Sequence, residues 1–350
     1  MTDSQRASSD VQLADEFSHF QELPKDHLSE HFQDHLGIGI MGRAGDKDVF
    51  LGCTIYHVGG RLWGMEDGAL IQTNVVLSPT DDRLMKNNDF IANRMDPLGH
   101  FDNFEAVREA NKVVWKAGDR QIICYPPYWE LKGEHLGVDI NMKLSGIGKS
   151  IPYHGIWQDL ATNGVAGNEQ LAKAEGSFTC NGETYTLDEG WAVRERTCLG
   201  RGWDVPSLLG SAEGYIWGWC FSDAVKVFCF AQGGSGHFAG RVYLEDGMIE
   251  FGADDTVVEP LASWIDPLTR ATYPTGWRIT MRSNAGSLEL NVDTWSRYLF
   301  GFHLLESYTT HHGALGRASG RYVLPDGAVI SIDDCISYFE QGFATPLAAG

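Results

Sequence analysis

Asn181-Gly182 constrains this chain more than any other pair of residues. It stands between two alternating runs, Gly176-Ser-Phe-Thr-Cys180 and Glu183-Thr-Tyr-Thr-Leu187. A type I′ turn needs positive φ at both central positions, which Asn and Gly adopt at little cost, so the segment predicts a tight β-hairpin. The pattern recurs downstream. Glu245-Asp-Gly247 separates Arg241–Leu244 from Met248–Gly252, and Pro325-Asp-Gly327 separates Gly320–Leu324 from Ala328–Ile332. Trp277–Met281 and Ser287–Asp293 alternate plainly. Forty-one glycines supply turns throughout. Strands at short intervals with turn chemistry between them predict antiparallel meanders. The expected fold is mainly β, with two consecutive antiparallel barrels or sandwiches behind a short helical N-terminal segment.

Two units are expected because 350 residues exceed what one ordinary core holds. Residues 1–36 read as a polar, helical extension, 37–165 as the first barrel and 166–350 as the second, with Ala161–Asn168 as the connection. Within the extension, His27, His31 and His35 fall at i, i+4 and i+8, one face of a helix. Their linear array suits a polar surface better than a tetrahedral metal site. Residues 79–112 interrupt the strand pattern, and Asn103–Lys112 predicts a helix in a covering insertion.

Charge and cysteine usage bound the partners. A formal net charge of -20 argues against nucleic acid and anionic membrane surfaces. No run approaches the ~18 apolar residues of a membrane span, and Met1–Asp10 lacks the apolar core of a signal peptide. Seven cysteines without a C-x-x-C pair predict reduced thiols rather than a disulfide framework or a zinc ribbon, hence a cytoplasmic chain, as a possible homodimer. Nucleotide-binding glycine loops, H-E-x-x-H and G-x-S-x-G are absent, so no cofactor and no metal are expected.

The densest chemistry lies in Glu189-Gly-Trp-Ala-Val-Arg-Glu-Arg-Thr-Cys-Leu-Gly-Arg-Gly-Trp-Asp204. In a strand, Trp191, Val193, Glu195 and Thr197 share one face, and Ala192, Arg194, Arg196 and Cys198 the other. A carboxylate among apolar neighbours is costly unless paired or used, which singles out Glu195. Arg194 and Arg196 then read as structural ion pairs, and Arg201 with Asp204 as a separate pair at the strand end, with Asp204 and His303 standing beside Glu195 as further catalytic candidates. The competing reading joins Arg194, Glu195, Arg196 and Asp204 in one network between the barrels. Tyr215, Trp217, Trp219 and Phe221 form an aromatic stripe that suits a pocket wall, because Tyr and Trp need partners for their polar atoms. His303 with Glu306 is a second acid/base candidate. His154 and His237, each beside Gly, are candidate pocket groups, and Tyr308-Thr-Thr-His-His312 reads as a polar lining.

The order of these parts resembles the hydroxyneurosporene synthase family of carotenoid hydratases and its bacterial relatives of lipocalin-like double-barrel fold. The resemblance rests on Gly176–Tyr185, Gly190-Trp191, Arg194-Glu-Arg-Thr197, Gly200-Arg-Gly-Trp203 and Trp219-Cys-Phe-Ser-Asp223. It covers about fifty residues. In that family an acid of this block protonates an alkene, a role that falls here on Glu195, with Trp191, Trp203 and Trp219 stabilising a developing cation. The chain departs from the pattern in carrying Glu for the usual Asp, Val193 for an aromatic, and Cys198-Leu199 for a Trp. The expected activity is that of a cofactor-independent hydratase/dehydratase or isomerase on a hydrophobic terpenoid, steroid or polyketide-like substrate. A pericyclase-like polyene cyclase and a non-catalytic lipocalin-like carrier are the alternatives.

Overall fold

The computed structural model describes residues 7–19, 31–60, 65–79, 90–97, 104–199, 215–232, 238–245, 247–265, 270, 272–304 and 307–346. It contains two antiparallel lipocalin-like sheets. The chain divides into two compact units, Met1–Val75 with Ile91–Asp204, and Val76–Phe90 with Val205–Gly350.

The first sheet has twelve strands. They are β1 (His31–Ala44), β2 (Lys47–Gly60), β3 (Met65–Pro79), β4 (Phe90–Pro97), β5 (Phe104–Arg108), β6 (Val113–Ala117), β7 (Arg120–Tyr125), β8 (Tyr128–His135), β9 (Val138–Gly146), β10 (Val165–Cys180), β11 (Glu183–Thr186) and β12 (Glu189–Leu199). Their order is β4-β3-β2-β1-β12-β10-β9-β8-β7-β6-β5, with β11 paired to the far end of β10. The second sheet has nine strands, β13 (Tyr215–Phe221), β14 (Lys226–Gln232), β15 (Phe238–Leu244), β16 (Gly247–Phe251), β17 (Thr256–Ile265), β18 (Thr272–Ser283), β19 (Gly286–Leu304), β20 (Ser307–Val323) and β21 (Val329–Pro346). Their order is β16-β15-β14-β13-β21-β20-β19-β18-β17.

One plan is used twice. Each sheet steps outward through four strands, restarts at the opposite edge, and returns to pair its last strand with its first. The closing pairs are β1 with β12 and β13 with β21. The hairpin at Asn181-Gly182 forms as its sequence predicts, with φ of 53° and 81° at the two turn residues.

Four expected segments differ. Residues 166–199, assigned by sequence to the second barrel, pair with β9 and β1 in the first sheet. The Gly- and Asn-rich connection at 161–168 is instead the short helix α1 (Leu160–Asn163), ended by Gly164 at φ 70°, running into β10. Asn103–Lys112 contributes β5, not a helix, because Phe104–Arg108 pairs with β6. His31 and His35 lie on β1 rather than on a helix, while His27 falls outside the described residues. Among the described N-terminal residues the only helical turn is the 3-10 turn Leu13–Glu16.

The first unit holds its N-terminal segment by buried charge. Arg194 Nη2 lies 2.7 Å from Glu16 Oε2, and Trp129 Nε1 donates to Glu16 Oε1 at 2.8 Å. Arg196 pairs with Asp34 and donates to the Phe17 carbonyl, and its guanidinium lies 4.8 Å over Trp115 and 4.9 Å over Trp157. Asp34 also accepts from Ser18 Oγ at 2.8 Å and from the His19 N–H at 3.0 Å. Burial works to raise the Asp34 pKa, but Arg196, Ser18 and His57 outweigh it and hold it low. The first unit also has an apolar core, with Leu36, Ile40, Leu51, Ile122 and Leu131 fully buried, and the second unit has its own, built from residues such as Ile216, Cys220, Val242, Trp277, Leu290 and Phe339. All seven cysteines are free and buried. Burial pushes Cys53 up to about 11 and Cys229 to about 12, so neither supplies a ready thiolate.

Candidate functional site

Glu195 sits in the middle of β12, directly opposite Gly37 of β1 and Glu169 of β10. Pleat alternation turns it away from Arg194 and Arg196, which point at Glu16 and Asp34. The glycine opposite is required by Thr54 rather than by the carboxylate. A Cβ at Gly37 would lie 3.6 Å from Glu195 Oε2 and 2.9 Å from Thr54 Oγ1.

Two other elements complete the surroundings. His35, two residues before Gly37 on β1, presents Nε2 3.4 Å from Glu195 Oε2. Gln33 Nε2 lies 2.7 Å from His35 Nδ1, a contact that fixes the ring orientation and turns Nε2 toward the carboxylate. From above comes the segment at Ile151–Gly155. Ile151 and Glu169 exchange backbone hydrogen bonds at 2.8 and 2.9 Å, and the His154 N–H donates to the Gly167 carbonyl at 3.2 Å. Gly167 permits this docking, since a Cβ there would meet Thr197 Oγ1 at 2.8 Å and the His154 Cβ at 3.2 Å. The docked segment lowers Tyr153 onto the sheet, where its hydroxyl donates to Glu195 Oε1. The Tyr153 and His154 rings are 3.9 Å apart.

The electrostatics follow from this ring of donors. Burial works to raise the Glu195 pKa, but the adjacent His35, the hydrogen bonds from His35 and Tyr153, and the His154 charge overcome it and lower the group to about 2. The protonated carboxyl in apolar surroundings that sequence suggested is therefore not what the site presents. Its side chain keeps 29% of its exposure, so it remains open to a ligand. Tyr153 moves the other way. Burial, with the negative charges of Glu195 and Glu169, pushes its hydroxyl well above the usual tyrosine value, so it stays a donor.

The other expected site residues scatter. Trp191 is buried and its ring is covered by Lys173 Nζ at 3.3 Å. It stands four residues, roughly 13 Å of strand, from Glu195, too far to face a centre at the carboxylate. Tyr215, Trp217 and Trp219 belong to the second unit. Trp219 is fully buried against Phe221 and Phe228, at ring separations of 5.7 and 4.6 Å, whereas Tyr215 and Trp217 are half-buried. Arg201, Trp203, Asp204, His237 and Glu306 lie outside the described residues. His303 lies on β19, with its side chain outside the described set. Arg194 and Arg196 pair with Glu16 and Asp34 of their own unit, so Glu195 is not part of an Arg194–Arg196 network. Among the described residues no group of three or more His, Cys, Asp or Glu could hold a metal. No described helix is long and apolar enough to cross a membrane.

Sequence reasoning missed His35, Tyr153 and Glu169. Their backbone partners are set by pairings between segments far apart in the chain, and the available signal was the alternation of β1 once Gly37 and Gly39 were placed on a strand.

No family model and no curated protein matches the sequence. Solved structures do match its fold. A candidate AttH from Nitrosomonas europaea aligns over 92% of this chain and 94% of its own, with TM-score 0.59 and 14% identity. CghA with Sch210972 aligns over 99% and 96%, with TM-score 0.58 and 11% identity. A second structure of CghA aligns over 100% of this chain and 97% of its own, with TM-score 0.55 and 11% identity. At these identities the likeness shows the lipocalin-like fold.

Proposed function

We propose that the chain is an enzyme that moves a proton on a hydrophobic terpenoid, steroid or polyketide-like substrate, as an isomerase or a hydratase/dehydratase, at Glu195. The observation that carries this reading is the cluster itself: one partly open carboxylate, oriented by His35 and Tyr153 on a face turned away from the structural ion pairs. Polar groups so arranged are costly for a fold to bury without use. CghA, a chain of the same fold, is found with Sch210972, which supports a small-molecule ligand for this architecture.

Isomerisation needs the fewest groups. The Glu195 carboxylate takes a proton from a carbon beside a carbonyl or double bond, the C–H electron pair shifts the double bond, and Glu195, whose proton exchanges with water while it is held, returns a proton at the far end of the conjugated system. Tyr153, held protonated, donates a hydrogen bond to the oxygen that gains charge. A carboxyl near 2 is a weak base. A substrate that draws the Tyr153 hydroxyl away removes one donor and raises Glu195 toward a working value. Elimination of water starts from the same abstraction: the C–H pair forms the new double bond, the C–O bond breaks, and the departing hydroxyl takes the proton that Glu195 has gained and leaves as water.

The test is incubation with a panel of terpenoid, steroid and polyene substrates in deuterated water, read by mass. A deuterium incorporated at constant composition marks isomerisation, and a mass change of one water marks hydration or dehydration. Turnover retained in full by Glu195→Gln sinks the reading. Cyclisation without exchange would favour the pericyclase reading, and binding without turnover the carrier.

A further inference from the structure

The second sheet repeats the arrangement of an acid on its closing strand. Glu340 of β21 occupies the place in its sheet that Glu195 of β12 occupies in the first, each on the strand that pairs back to the opening strand. Register puts Glu340 opposite Trp217 of β13 and Gly313 of β20, on the face away from the apolar core that contains Phe339. Its carboxylate is enclosed by donors. The Tyr215 hydroxyl donates to Oε1 at 2.5 Å and the Tyr338 hydroxyl to Oε2 at 2.9 Å. His311 Nδ1 lies 2.7 Å from the Tyr215 hydroxyl and 3.6 Å from Oε1. The Tyr215 ring crosses β21 over Gly342, where any added Cβ would overlap it. Glycine at 342 is thus the condition for the Tyr215–His311 contact.

We infer that the second unit carries its own binding site at Glu340, His311 and Tyr215, for a flat apolar ligand that presents a hydroxyl or enol proton. An ionised carboxylate accepts about four hydrogen bonds, and among the described residues each Glu340 oxygen accepts one from a tyrosine, which leaves acceptor capacity on both with respect to those residues. The side chain keeps 18% of its exposure, so that capacity is reachable. Next to it stands an aromatic wall: half-buried Trp217 lies 5.5 Å, edge-on, from Tyr338, and Tyr215 lies 6.1 Å from Phe230. Rings beside a single acceptor select an apolar body with one donor, and reject the same body with its donor capped. The inference stands on residues of the second unit alone and does not depend on the reading given to Glu195.

The experiment uses the full chain with 2-naphthol as probe and 2-methoxynaphthalene as its capped counterpart, followed by calorimetry. The expected result is saturable binding of 2-naphthol, weaker binding of the methyl ether by about tenfold, and a loss of about tenfold for 2-naphthol in Glu340→Gln. Glu195→Gln should bind 2-naphthol like the parent chain, so failure of the reading at Glu195 would be told apart from failure here. Should Glu340→Gln not fold, the parent chain still answers: 2-naphthol must shift the ring-nitrogen resonances of His311. Equal affinity for both probes, unchanged affinity in a folded Glu340→Gln, or an unmoved His311 overturns the inference.

Discussion

Glu16 and Arg194, 178 residues apart in sequence, form an ion pair of 2.7 Å with neither side chain open to water. Two Trp indoles also hold the acid residue, Trp129 on its carboxylate and Trp115 on its backbone carbonyl. Removing one partner of a buried pair strands the other charge, which costs about 3–5 kcal/mol. Glu16→Gln should therefore lower the unfolding free energy of the first unit by that order, seen as a fall in its urea midpoint at unchanged slope. The double variant Glu16→Gln with Arg194→Met should recover a large part of the loss, because no uncompensated guanidinium remains. Equilibrium denaturation of the two variants, followed by Trp fluorescence, checks both.

Acid should unfold this unit earlier than its apolar content alone implies. Glu195 is lowered from 4.5 to about 2, and Asp34 is lowered as well. A carboxyl depressed in the folded state contributes stability above its unfolded value, lost as pH falls through the folded one. For Glu195 the window runs from about 4.5 down to about 2. Its contribution is at most on the order of 3 kcal/mol. Glu195→Gln should flatten the stability profile between those limits and leave it unchanged in slope above pH 5. Denaturation midpoints taken at half-unit steps of pH give the comparison.

Gly342→Ala tests the close approach of ring and backbone in the second unit. The added methyl overlaps the Tyr215 ring, which is packed between β21 and His311 and cannot rotate away without giving up the bond to Glu340. Overpacking of this kind costs about 1–3 kcal/mol. The Tyr215→Phe, Gly342→Ala double variant should cost more than Tyr215→Phe alone, because the steric conflict survives loss of the hydroxyl. Thermal melts of the three variants check the order.

The parts of the fold legible in the sequence were those set by local chemistry. Asn181-Gly182 named its turn, and the alternation from Trp191 to Thr197 placed Glu195 and its neighbouring arginines on opposite faces. What stayed hidden depends on pairing between distant segments. The partners of Arg194 and Arg196 are Glu16 and Asp34, far upstream, and nothing near either acid marks it as buried. His31 and His35 satisfy a helical spacing and a strand spacing equally, since a difference of four is compatible with both periods. Only the pairing of β1 with β12 decides between them, and it brings His35 to Glu195. The boundary near residue 165 misread local Gly and Asn content, which here ends a one-turn helix rather than a domain.

Tyr153→Phe separates orientation from ionisation at the proposed centre. The Tyr153 hydroxyl is one of the donors that depress Glu195, while the ring itself packs beside His154 and stays in the variant. Loss of the donor should raise the Glu195 pKa, still leaving it below an unpaired glutamate because His35 remains in place. Carboxyl carbon shifts of labelled Glu195 should therefore titrate at higher pH in Tyr153→Phe than in the parent chain, and higher again in the Tyr153→Phe, His35→Gln double variant. Where turnover is found, the acidic limb of its pH profile should move in the same direction. A structural role for Tyr153 would lower stability without moving either titration, so an unshifted carboxyl resonance would remove Tyr153 from the proton path.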